Sequence, residues 1–140
     1  TISQLKLEAL RLNDNSNTVM QSIVPKFEPR AMPLDSELIS SLDHIPDKLI
    51  PVLEYLSSRS LYLEDYPFYW TPKIGFSNRV IIPFLKDNVI VGYTARAIGD
   101  TKPKYISEQQ PGYVFNLDAQ KADWQVCILT EGIFDALSID

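Results

Sequence analysis

Two acids, Glu131 and Asp135, stand four residues apart just after the run Gln125-Val126-Cys127-Ile128-Leu129-Thr130. A continuous apolar run of that length reads as a central strand covered on both faces. After Gly132, the segment Ile133-Phe134-Asp135-Ala136-Leu137-Ser138-Ile139 has apolar residues at helical spacing, so the pattern predicts a strand, a tight turn and a helix. Ligand sites commonly lie beyond the carboxyl end of such a strand. There both carboxylates could face one crevice and hold a hard divalent cation. The other reading of the same residues is a helix-start carboxylate interacting with the helix dipole.

Other metal chemistry is excluded by counting. One cysteine, Cys127, and one histidine, His44, allow neither an internal disulfide nor a Cys/His zinc site. Carboxylates remain, and they suit magnesium or manganese; no zinc is expected. His44 has no partner in view and reads as a helix-start or surface residue.

A second group of residues suits phosphates. The segment from Lys73 to Lys104 holds Lys73, Arg79, Lys86, Arg96, Lys102 and Lys104 against Asp87 and Asp100, a net +4, while the rest of the chain carries -9 of the total -5. A local basic surface on an acidic chain fits a groove that tracks one polyanion; a solvated hairpin with ordinary surface lysines fits as well. Lys102 and Lys104 flank Pro103, which could aim two ammonium groups at phosphates. Arg96, at the end of an uncharged row, reads as a salt-bridge partner or a ligand arm.

The elements that must position these groups follow from periodicity. Val80–Leu85 and Val89–Ala97, joined by Lys86-Asp87-Asn88, read as a β-hairpin. Gly92 inside the second arm marks a bulge or a close backbone approach. Ile90, Gly92, Thr94 and Arg96 are expected on one face. Lys104-Tyr105-Ile106 should be extended after the turn at Gly99, and Tyr113-Val114-Phe115 is a candidate short strand. Upstream, Asp43 or His44 as cap, Pro46 in the first turn, and Leu49, Val52, Leu53 and Leu56 at helical spacing predict a helix. The aromatic run Tyr62, Tyr66, Phe68, Tyr69 and Trp70 could stack on bases, but Pro67 and Pro72 fix a turn there and favour core packing. Residues 1–42 read as an arm: Leu5, Leu7, Leu10 and Leu12 form a helical or extended piece, Asn13–Asn17 break it, and three prolines between Ile23 and Pro33 favour an extended linker or wrapping strap.

At 140 residues, with 45% hydrophobic and 22% charged residues, the chain is one domain's worth of length and able to form a core. No apolar run reaches the ~20 residues of a membrane helix, and the first residues lack a signal peptide's apolar stretch. A cytoplasmic setting without membrane contact is expected.

Taken in order, Arg79-Val80-Ile81-Ile82-Pro83-Phe84, Val91-Gly92-Tyr93-Thr94-Ala95-Arg96, Lys102-Pro103-Lys104-Tyr105-Ile106 and Ile128-Leu129-Thr130-Glu131-Gly132-Ile133-Phe134-Asp135-Ala136-Leu137 resemble the core of DnaG-type DNA primases, closest to the phage-encoded ones. Tyr55-Leu56-Ser57-Ser58-Arg59-Ser60-Leu61 is similar to the segment preceding that core, with Ser60 where the family usually has glycine. The resemblance covers residues 45 to 140. It implies synthesis of short RNA primers on single-stranded DNA by metal-dependent nucleotidyl transfer. It implies Glu131 as the TOPRIM glutamate, catalytic and metal-binding, and Asp135 as a second metal-site acid for Mg2+ or Mn2+. It also implies that Arg79, Arg96, Lys102 and Lys104 hold template or nucleoside triphosphate, and that a replicative helicase is a further partner.

Two departures bear on the expectation. The family's Asp-x-Asp, beyond the second TOPRIM strand, and its upstream zinc-binding module are not in the sequence, so the 140 residues are expected to be an excised core or a degenerate relative that does not polymerise alone. The expected fold is α/β with an α+β lead-in: an arm over 1–42, an antiparallel basic subdomain over 43–122, and the first strand and helix of a parallel TOPRIM sheet over 123–140. An open edge at the Cys127 strand predicts self-association. The competing functions are another TOPRIM enzyme, a nuclease or topoisomerase, and a non-catalytic module that binds single-stranded DNA or a helicase. A topoisomerase would need a catalytic tyrosine, for which Tyr93 and Tyr105 in strand-like contexts are poor candidates.

Overall fold

The computed structural model describes residues 24–139. The arm residues Leu5 to Asn17 and the terminal Asp140 lie outside the described residues. The chain is α+β: five antiparallel strands, β1 (Glu37–Leu38), β2 (Tyr69–Trp70), β3 (Arg79–Lys86), β4 (Val89–Ala97) and β5 (Tyr105–Glu108), lie side by side in sequence order. Two helices, α1 (Ile50–Ser58) and α2 (Ile133–Leu137), accompany them. No helix among the described residues is long and apolar enough to cross a membrane.

The β3–β4 hairpin forms where alternation and turn chemistry predict it. Asp87 and Asn88 both take positive φ, +50° and +63°, as a two-residue turn whose twist matches its strands requires. Between Phe84↔Gly92 and Leu85↔Ile90 the register slips by one residue, which makes Val91 the extra residue of a bulge. The bulge breaks the alternation, so Ile90 is not in the row that Gly92, Thr94 and Arg96 form. Gly92 meets both expectations: a Cβ there would overlap the carbonyl oxygen of Glu108 on β5 and sit 3.0 Å from Phe84 Cδ2.

Val80 and Ile82 on β3 pack with Val52 and Leu56 of α1, Leu49, Leu61, Phe68, Trp70 and Phe134 into one core. Of the aromatic run, Phe68 and Trp70 are core, Trp70 donating Nε1–H to Ser77 O at 2.9 Å, whereas Tyr62 is exposed. The helix begins later than its sequence signal. Pro46 keeps an extended ψ of 146° and precedes a 3-10 turn over Asp47–Leu49, and Pro51 occupies the first turn of α1 instead. At the other end, Ser60 N–H donates to Ser57 O and Leu61 N–H to Leu56 O, both at 3.0 Å. Those two bonds define a Schellman cap. It requires the left-handed conformation at Ser60, whose φ is +55°.

Three expectations are corrected. Residues 125–130 form no strand: they have no regular structure, and Val126, Ile128 and Leu129 are 75%, 64% and 87% exposed. Their apolar sequence reads as a covered strand, but no described segment pairs with them or covers them. The sheet edges are therefore β1 and β5, not a Cys127 strand. Tyr113–Phe115 is not a strand either, because Tyr113 turns inward to stack on Phe84, ring centroids 4.8 Å apart, and donates its hydroxyl to Leu85 O at 3.1 Å. Lastly, residues expected to belong to the arm join the sheet as β1.

Residues 24–35 do form a strap. Gln110 holds it, accepting from Glu28 N–H at 3.0 Å and donating to the carbonyls of Glu28 and Val91, both at 2.7 Å. Arg30 N–H donates to Ile90 O at 2.9 Å, Phe27 meets Tyr113 edge to face, and Asp35 pairs with Lys73 at 3.3 Å.

Candidate functional site

The basic residues divide into two kinds. Arg79, at the start of β3, is 1% exposed. Its Nε donates to Gly75 O at 2.9 Å and Nη1 reaches Ala95 O at 3.4 Å. Burial holds its pKa below the usual guanidinium value. Its visible work is to tie the Gly75 loop to β4.

Arg96 sits beside β5, in register with Tyr105. Its guanidinium carbon lies 4.8 Å from the Tyr105 ring centroid, and Nη1 donates to the Tyr105 hydroxyl at 2.6 Å. Arg96 Nε is buried without a hydrogen-bond partner among the described residues. Tyr105 remains 47% exposed, so its ring presents surface beside a fixed cation. Lys102 and Lys104, either side of Pro103, are exposed on the loop from β4 into β5, and neither forms an ion pair with any described residue. The sequence singles out Arg96, Lys102 and Lys104 as binding residues, whereas Tyr105 enters only as part of the Lys102–Ile106 segment and as a poor nucleophile. The signal for its role is its place directly after Lys104.

The acids lie on another part of the molecule. Glu131 lines a cleft of about 530 Å³ with Val114, Trp124, Ile128 and Leu129, and none of the four basic candidates lines it. Asp135, in α2, pairs through Oδ1 with Arg59 Nη2 at 3.2 Å. Its Oδ2 folds across Gly132, 2.8 Å from where a Cβ would stand. Arg59, the cap residue of α1, thus tethers the start of α2 to the body of the fold. In the sequence Arg59 stands out only as part of a similar segment. Among the described residues no three His, Cys, Asp or Glu side chains are grouped to hold a metal ion. Glu131 and Asp135 are the carboxylates that would hold magnesium or manganese, ions commonly bound by one or two carboxylates together with substrate phosphates and waters; Asp135 is here paired with Arg59.

A further polar cluster closes the hairpin turn. Asp118 accepts from Lys86 Nζ and from Asp87 N–H, both at 2.8 Å. The Lys86 ammonium, helped by that backbone N–H, holds the Asp118 carboxyl below its usual pKa, and Asp118 in turn raises Lys86. Burial pushes the Tyr113 hydroxyl up to about 12.

Comparison of the chain with family models, with curated proteins and with solved structures finds no match.

Proposed function

We propose that this chain is the template-holding part of a DnaG-type DNA primase, together with the opening of its TOPRIM domain, and that it grips single-stranded DNA on the Arg96–Tyr105 surface. The observation that carries the reading is the exposed Tyr105 ring backed by Arg96, with Lys102 and Lys104 alongside. Aromatic faces that stack bases, combined with cations that follow the backbone, are the parts a sequence-tolerant single-strand site needs. Lys102 and Lys104 meet phosphates as point charges while Arg96 fixes the ring.

In this reading Glu131 is the acid of nucleotidyl transfer and Asp135 its neighbour, oriented by Arg59. A divalent ion held there would neutralise the triphosphate, with substrate phosphates and waters supplying its remaining oxygen ligands. Nucleoside triphosphates and a replicative helicase are the partners that accompany the reading, in a cytoplasmic setting.

The test is anisotropy of a fluorescent single-stranded oligonucleotide across a salt series. Affinity should fall steeply with salt, and Lys102→Ala with Lys104→Ala should flatten the log–log slope by about 1.4, near 0.7 for each phosphate no longer neutralised. Tyr105→Ala should weaken binding roughly 5- to 100-fold at all salt concentrations, as expected when one base stack is removed. Affinity that is flat across salt and indifferent to these changes overturns the reading.

A further inference from the structure

The least explained surface of the molecule is the run from Gln125 to Thr130. Val126, Ile128 and Leu129 are 75%, 64% and 87% exposed, with Val114, Leu117, Trp124 and Ile139 each about half exposed. Val126, Ile128 and Leu129 line one cleft with Val114, Trp124 and Ile139, and exposed apolar side chains gathered in that number mark an interaction surface. Among the described residues, no backbone hydrogen bond involves residues 125–131. The run therefore offers open amides and carbonyls as well as apolar side chains, which are the two things an added strand supplies.

We infer that the occupant is a second copy of this chain, its residues 124–132 pairing antiparallel with the same residues of the first about a two-fold axis at Ile128. Charge excludes the register centred on Cys127, and cover of Gly132 by an aromatic ring favours the one centred on Ile128. A two-fold antiparallel pair must place some residue opposite itself. Centring on Cys127 would set Asp123 against Glu131 of the other copy, and like charges directly opposite destabilise a sheet. Centring on Ile128 sets Ile128 against Ile128, Cys127 against Leu129, Val126 against Thr130 and Gln125 against Glu131. Trp124 then lies opposite Gly132, where an aromatic ring covers the missing side chain. No charged pair faces a like charge, and no ionisable group other than Cys127 lies within 125–130. The interface is isologous, so it closes at two copies. It does not depend on nucleic-acid binding.

Sedimentation velocity of the 140-residue chain over a concentration series should show a monomer–dimer equilibrium, and Ile128→Lys should weaken it more than tenfold. Because Ile128 is exposed in the single chain, the variant keeps its fold, which an unchanged urea midpoint would verify. Register is read by disulfide capture in a glutathione buffer, where oxidised glutathione is the oxidant. Leu129→Cys, facing Cys127 of the other copy, should yield several-fold more covalent dimer than the unaltered chain. A monomer at every concentration overturns the proposal, as do open-ended assemblies. So does a monomer whose amides from 125 to 130 exchange slowly, which would place the cover within the same chain. Equal or greater capture through Cys127 alone overturns the register.

Discussion

Gly92 and Ser60 show how single residues set the backbone here, in opposite senses. At Gly92 any side chain meets the Glu108 carbonyl across the β4–β5 seam, so Gly92→Ala should cost about 1–3 kcal/mol, the usual range for overpacking, read as a lower urea midpoint with an unchanged slope. At Ser60 the cap demands φ of +55°, where a Cβ is penalised by ~1–2 kcal/mol, partly offset by glycine's larger entropy loss on folding. Ser60→Gly should therefore raise Tm by about 1–3 °C. Gly92 was legible in the sequence because glycine interrupts a strand pattern. Arg79 was less so: the sequence marks it only as one basic position of a resemblance, and the tie it makes to the Gly75 carbonyl needs a loop folded back over it.

Among the elements, the hairpin was the most legible, since its alternation and its turn agree. The clamp on that turn was not, because Asp118 arrives from 31 residues beyond Asp87. Its effect is pH-dependent with a definite sign. Asp118 titrates lower folded than unfolded, so its contribution is full above the ordinary carboxyl value near ~3.9 and is lost as pH falls through the depressed folded value. Lys86 titrates higher folded, so its contribution is full below ~10.4 and is lost as pH rises through the raised value. Asp118→Asn should flatten both the acid and the alkaline limb of a plot of urea midpoint against pH, leaving the middle least altered in shape. Residues 125–130 and 113–115 misled for one reason: apolar sequence states a demand for cover, and which segment meets it is decided by the whole chain. Tyr113 met its demand on Phe84; Val126, Ile128 and Leu129 did not meet theirs among the described residues.

Across the whole molecule, the strap, the sheet and the loop after β5 converge on Gln110, whose amide bonds Glu28 and Val91 together. Gln110→Ala should speed hydrogen exchange at the Glu28 amide roughly tenfold, the equivalent of about 1.4 kcal/mol for these bonds, while the amides of β3 keep their protection. Equal acceleration in both places would mean that strap and sheet open as one unit. Proline content announced an extended path here, but the docking of residues 24–35 on the sheet rests on a glutamine that no local pattern marks. The mixed fold and antiparallel sheet were legible at this scale; the division of the candidate residues between the Arg96–Tyr105 surface and the Glu131 cleft required three dimensions. The two tryptophans fall on either side of a similar division. Trp70 is 4% exposed in the core and Trp124 52% exposed at the cleft, so their emission colours and acrylamide quenching report separately on the integrity of the sheet and on whatever comes to rest against residues 124–130, within one unlabelled sample.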